Sequence, residues 1–177
     1  MQRIKILILI LILCILSPCY GEELYNAIFV KFSDADSMWI WNEEMGKIKI
    51  IIAGIDAPEA FRSRKLRMDS KRCKISQKRI RVLGRRAIIY ARSILKRGEE
   101  IKIKIYKKER NRIYGSIYLS DGGLYAERIV GAGYACVSGN LIDQKEMEKL
   151  KKALIEAKKE KKGLWKKYYK IMDCLCR

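Results

Sequence analysis

Of the 177 residues, 39 are Lys or Arg, 20 are Asp or Glu and none is His, for a formal net charge of +19. That length suits one domain with a sizeable core. The lack of histidine excludes His-based catalytic triads, His general bases and His metal ligands, so any chemistry must use carboxylates, Lys, Arg, Tyr, Ser or Cys.

The N-terminal residues 1–21 read as a targeting segment. Arg3 and Lys5 precede an apolar run of 11 residues, Ile6 to Leu16. A membrane-spanning helix takes about 20 residues, so the run is short for a span, and a basic start followed by such a run describes a signal peptide. Cleavage after Gly21 is expected. An uncleaved anchor, which would associate the chain with a membrane, and a lipid-modified Cys19 are the alternatives. Each places residues 22–177 outside the cytoplasm, secreted or at the cell envelope. Without Arg3 and Lys5 that domain keeps 37 basic residues against 20 acidic, a net charge of +17. Such a balance suits a polyanionic partner: nucleic acid, anionic lipid or acidic polysaccharide. Export permits disulfides. Cys73, Cys136, Cys174 and Cys176 allow three complete pairings, and the sequence does not choose among them. Cys73 with Cys136, or either with the tail, is favoured over Cys174 with Cys176, which are too close for an easy bridge.

Along the domain, Asn26 to Phe32 reads as a first strand, "SDADS" (Ser33 to Ser37) as an acidic turn, and Met38 to Trp41 as a second strand with Trp39 and Trp41 on one face. Lys47 to Ile55 is the third strand, alternating and then continuously apolar. A basic stretch from Arg62 to Arg81 reads as a loop running into a helix. From Ile80 the apolar positions Leu83, Ala87, Ile88, Ala91, Ile94 and Leu95 follow helical spacing up to Gly98. Ile101 to Tyr106 and Ile113 to Leu119 are the fourth and fifth strands, closed by Asp121-Gly122-Gly123. A short helix over Leu124 to Val130 and a long one over Gln144 to Lys162 follow, with Leu164 and Trp165 folding back onto the body. The expected class is α+β, a five-stranded OB-fold barrel with three helices in one domain.

Two acidic clusters stand out. Asp34 and Asp36 lie in the first turn, and Asp56 and Glu59 flank Pro58 after the third strand. In a three-strand meander both clusters fall at the same end of the sheet, so Asp36 and Asp56 can approach each other. Paired carboxylates repel unless a proton or cation lies between them. Oxygen ligands alone suit a hard cation such as Ca2+ or Mg2+, and Glu59 is the acid free to take a proton from water. Two ordinary acidic turns explain the same pattern without a metal.

The ordered blocks "DADS", "AGIDAPE", "IYGSIY" and "ERIVGAGYACV", then a Lys/Glu-rich helix ending "KKGLW", resemble the staphylococcal-nuclease-like (thermonuclease) family over Asn26 to Trp165. The resemblance implies an OB-fold barrel and a Ca2+-dependent phosphodiesterase acting on DNA and RNA. It implies Asp36, Asp56 and the Ala57 carbonyl as Ca2+ ligands, Glu59 as general base, and Tyr114 beside the bound phosphate. It also exposes departures. The family's two phosphate-gripping arginines fall at Ile51 and Ser116 here, and the segment that supplies stacking tyrosines reads "SGNL" (Ser138 to Leu141). A lost transition-state donor costs on the order of 10²–10³ in rate. Lys49, Arg62, Arg64, Arg110 and Arg112 are the substitute cations at hand, and all of them read equally as solvated surface charge.

Three readings therefore stand at this level. The first is a secreted, monomeric, Ca2+-dependent nuclease with a rearranged phosphate clamp, favouring single-stranded DNA or RNA. The second is a weak or inactive relative that binds nucleic acid, or another polyanion, through its basic surface. The third is an envelope-associated module whose basic surface meets lipid headgroups.

Overall fold

A computed structural model describes residues 23–139 and 141–176. The targeting segment read at 1–21, and with it the choice between a cleaved and an anchored N-terminus, lies outside the described residues. So does Asn140 of the "SGNL" segment.

Five strands close into a barrel: β1 (Leu24–Asp34), β2 (Ser37–Asn42), β3 (Gly46–Ile52), β5 (Glu100–Glu109) and β6 (Arg112–Tyr118). Their order around the barrel is β1-β2-β3-β6-β5, with β5 returning to pair with β1. All pairings are antiparallel except β3 with β6. Alternation drives this closure. Ala27 and Phe29, Met38 and Ile40, Ile48, Ile50 and Ile52, Ile101 and Ile103, and Ile113 and Ile117 all point inward and are buried. Gly115 of the "IYGS" block permits the β5–β6 contact, because a Cβ there would lie 2.2 Å from the Lys104 carbonyl oxygen.

Among the described residues the other elements are a short two-stranded pairing, β4 (Ile55–Asp56) with β7 (Cys136–Val137), and five helices. The helices are α1 (Arg64–Cys73), α2 (Gln77–Ile94), α3 (Tyr125–Gly131), α4 (Gln144–Lys159) and α5 (Leu164–Leu175). The class is the expected α+β barrel, with five helices among the described residues in place of three. The stretch read as a loop from Arg62 holds α1. Its only buried residues are Leu66 and Asp69, so no apolar period marks it. It is held instead by the Ser63 side chain, which caps the Leu66 N–H at 2.9 Å, and by a Lys65–Asp69 pair one turn apart. The fold-back at Leu164 and Trp165 opens α5. There Trp165 is fully buried in a second core with Leu66, Ile80, Leu83, Ala157, Leu164 and Met172.

Two disulfides tie this helical layer together: Cys73 with Cys174, and Cys136 with Cys176. Of the open pairings, each body cysteine has taken a partner in the tail. Cys73 ends α1 and Cys136 lies on β7, the strand paired to Asp56, so both bridges close on segments that flank the acidic loop.

Candidate functional site

The two acidic clusters meet at one end of the barrel. The β1–β2 turn carries Asp34 and Asp36, and the loop after β4 carries Ala57 to Ala60. Asp36 Oδ2 accepts the Ala57 N–H at 2.9 Å, and Asp34 Oδ1 accepts the Ala60 N–H at 2.8 Å. Backbone joins them as well, with Ile52 N–H donating to the Asp36 carbonyl at 2.8 Å. The turn is braced from beneath by the fully buried Tyr125, whose hydroxyl donates to the Ala35 carbonyl at 2.7 Å. Asp34, adjacent in sequence but given no role from the sequence, is thus as much a part of the cluster as Asp36.

The crowding shows in the electrostatics. Burial, with the Asp56 charge behind it, pushes Asp36 up to about 8, although the Ala57 N–H pulls the other way. Burial also pushes Asp34 up to about 6, opposed by the Ala60 N–H and reinforced by Glu59. Near neutral pH the cluster therefore carries less than its full negative charge.

One cation is already inside it. The Lys65 ammonium, on the first turn of α1, lies 3.0 Å from Asp56 Oδ1, 3.6 Å from Glu59 Oε1 and 3.4 Å from the Ala57 carbonyl oxygen. It also meets Asp69 Oδ2 at 3.0 Å. Burial works against the Lys65 charge, but Asp56 and Asp69 more than offset it and hold its pKa above the usual lysine value. The sequence singles out Arg62 and Arg64, which both precede Lys65, and not Lys65 itself. The signal was available: with Ser63 as a helix cap, Lys65 and Asp69 fall four residues apart on the helix face that leads back to the acids.

The other named cations are more dispersed. Lys49 stands beside Arg112 across the β3–β6 pairing and lowers the Asp34 pKa through its charge, so it faces the acidic end. Arg112 is held by Glu109, Nε to Oε2 at 2.8 Å, and Lys107 meets the other oxygen at 2.8 Å. Tyr114 sits between them, with Lys107 and Arg112 at 5.6 and 5.7 Å from its ring and its hydroxyl 3.5 Å from Glu109. Glu109 organises this corner and was not anticipated. Arg62 and Arg64 are exposed, and Arg64 and Lys65 line an open groove of about 590 Å³ with Met68, Asp69 and Arg72. Arg81 of α2 reaches the loop from behind, donating to the Ala60 carbonyl at 3.4 Å.

The two departures also have structural homes. Ile51 pairs with Tyr114 across β3 and β6. Ser116 is fully buried and donates to Glu146 Oε2, a carboxylate that also accepts from the Tyr118 hydroxyl and, at 3.0 Å, from that of Tyr106. Ser116 therefore serves an internal polar cluster rather than an open phosphate site.

The oxygen donors of Asp36, Asp56, Glu59 and the Ala57 carbonyl suit a hard cation in type. Their arrangement fits less well: among the described residues no three acidic or thiol side chains are disposed to hold an ion together. Asp36 is turned to a backbone N–H, and Asp56 is turned to Lys65.

A closed five-stranded barrel with clustered acids at one end and a basic outer face defines a nuclease-like OB-fold protein. The model of the staphylococcal nuclease homologue family matches residues 49–167. The chain belongs to that family. It is also similar to Endonuclease YhcR of Bacillus subtilis (strain 168), 23% identical over 162 residues, which is 89% of this chain and 13% of that protein. The chain thus spans about an eighth of the length of the curated relative it matches.

Proposed function

We propose that the chain is an exported phosphodiesterase that hydrolyses nucleic acid, favouring single strands, with Ca2+ as its metal. The observation that carries this reading is the joining of two distant acidic segments, Asp34–Asp36 and Asp56–Glu59, at the barrel end beside Tyr114 and Lys49. Asp36, Asp56 and the Ala57 carbonyl would hold the ion. When bound, Ca2+ would supply positive charge to neutralise a phosphate oxygen and polarise the phosphorus.

The remaining work falls to the chain. Glu59, mostly buried against α2, takes the proton of the attacking water onto its carboxylate. Tyr114 with its flanking Lys107 and Arg112, and Lys49 beside them, orient the phosphate and neutralise its charge. Arg64 lines the open groove, and the exposed Arg62 two residues before it adds a second cation to that side. Preference for single strands is supported by the outer face of β2, where Trp41 is 43% exposed and Lys47 lies 5.7 Å over the Trp39 ring. Exposed aromatics on a basic barrel face are stacking platforms for unpaired bases. Export is supported by the basic-apolar N-terminal sequence and by the two disulfides.

A second reading is favoured by Ile51 and Ser116, which leave no arginine at either phosphate-gripping position: a binding module with little turnover. Digestion of denatured DNA by the purified 22–177 domain separates the two. The nuclease reading expects cleavage with Ca2+, none with EDTA, and none from Glu59→Gln. Salt-sensitive binding without cleavage gives the second reading, and cleavage that survives Glu59→Gln removes the proposed role of that residue.

A further inference from the structure

The acidic cluster already has a cation of its own. Lys65 contacts Asp56, Glu59 and the Ala57 carbonyl oxygen together, at 3.0, 3.6 and 3.4 Å. These are three of the four groups to which the proposed site assigns metal binding or base chemistry. The ammonium is not a loose surface charge that has drifted in. Ser63 caps α1 two residues earlier, and Asp69 grips the ammonium from the next turn. The other oxygen of Asp69 is taken by Arg72 at 2.8 Å, and Arg72 donates in turn to the Cys174 carbonyl at 2.6 Å. Cys174 is itself bridged to Cys73 at the end of α1. Lys65 is thus positioned by a chain of polar contacts that ends in a covalent closure.

We propose that Lys65 is a built-in counter-cation of this cluster, and that a divalent ion binds only by displacing it. The inference rests on the proposed calcium site and adds a competitor to it. An ammonium and a divalent ion cannot share Asp56 Oδ1 and the Ala57 carbonyl, because two like charges a few ångströms apart repel strongly away from bulk water. Without metal, Lys65 keeps the Asp56 and Glu59 carboxylates from driving the loop apart. With metal, its flexible stem lets the ammonium withdraw into the open groove beside Arg64 and Met68, since the side chain is already 39% exposed. There it becomes available to the phosphate that the substrate brings. The same lysine thus stabilises the resting cluster, weakens metal affinity, and supplies a cation for the substrate in a chain that lacks an arginine at 51 and 116.

The test is calorimetric titration of Ca2+ into the 22–177 domain and into Lys65→Met, which keeps the apolar stem and removes the charge. Lys65→Met is expected to bind Ca2+ about tenfold more tightly, the scale of losing one partly screened opposing charge. Metal-free Lys65→Met should also melt at a lower temperature than the parent, with the gap closing at saturating Ca2+. If Lys65→Met does not fold, Asp69→Asn frees Lys65 from its helix partner without altering the acids, and a smaller gain in Ca2+ affinity is expected. Equal or weaker binding by folded Lys65→Met overturns the inference and leaves the calcium site standing. Failure of both proteins to bind Ca2+ overturns the inference and the calcium site together.

Discussion

Gly84 and Glu59 touch through their backbones. A Cβ on Gly84 would lie 2.4 Å from the Glu59 carbonyl carbon and 2.5 Å from both the Ala60 nitrogen and the Pro58 oxygen. Helix α2 therefore sits directly on the loop that carries the proposed base, and only glycine allows that approach. Gly84→Ala must push the loop or the helix aside, at a cost of about 1–3 kcal/mol. The expected outcome is a lower melting temperature with a larger loss of the proposed nuclease activity. Gly131→Ala is the control. Its Cβ would meet only Ala153, at an ordinary 3.7 Å, and α3 should be unchanged or slightly stabilised. Equal effects of the two substitutions would contradict the close approach.

Asp143 links α4 to the barrel and should make part of the stability acid-sensitive. It caps α4, accepting the Glu146 N–H at 2.8 Å, and pairs with Lys104 at 2.9 Å. Burial opposes its charge, but the Glu146 N–H and Lys104 outweigh it and hold the carboxyl down at about 2, below the ordinary aspartate value. A depressed carboxyl stabilises the fold above its unfolded pKa, and that contribution disappears as pH falls toward the folded value. Asp143→Asn preserves the cap and removes the charge. Its melting temperature should lie below the parent at pH 6, and the difference should shrink between about pH 4 and pH 2. A melting temperature equal to the parent's at pH 6 would show that Asp143 acts through its cap alone.

Ser116 answers to Glu146, a buried carboxylate that would lose one of its three hydroxyl donors in Ser116→Ala. Leaving a buried acceptor short costs about 1–3 kcal/mol. Urea denaturation should show that loss, while the proposed Ca2+ binding and digestion, per folded molecule, stay as in the parent. A selective loss of digestion would mean instead that Ser116 reaches the phosphate.

Trp39 and Trp41 alternate outward on β2 beside Lys47 and Lys49. If unpaired bases stack there, Trp41→Ala should weaken binding of a single-stranded oligonucleotide by about 1–3 kcal/mol and leave duplex binding nearly unchanged. Fluorescence anisotropy at fixed salt measures both. Parallel weakening for both strand types would assign the face to charge rather than stacking.

The barrel was legible because its strands alternate strongly. Residues such as Ile48, Ile50 and Ile52, or Ile101 and Ile103, announce an inward face with little ambiguity. The meander also foretold that Asp36 and Asp56 would share one end. What escaped was set by contacts with no period. Helix α1 buries one apolar side chain and one aspartate, so its stability comes from a cap, an ion pair and a disulfide rather than from an apolar stripe. Lys65 was hidden with it, because an unrecognised helix gives no geometry to its lysines. At 116 the sequence shows a missing arginine, but the serine's engagement with Glu146 depends on a residue 30 positions away, which pattern alone does not connect.

The pairing of Cys73 with Cys174 and of Cys136 with Cys176 has a mechanical consequence. The bridges close loops of very different length, with partners 101 and 40 residues apart, but both terminate on the same short stretch of tail. They are one latch with two pins, not two independent rivets. A single proteolytic cut before Cys174 would leave Cys73 and Cys136 joined through Cys174-Leu175-Cys176 but part both from the rest of α5, the first ending the helix that carries Lys65 and the second lying on the strand paired to Asp56. Cutting the chain there would therefore loosen both flanks of the acidic loop without touching any of its acids.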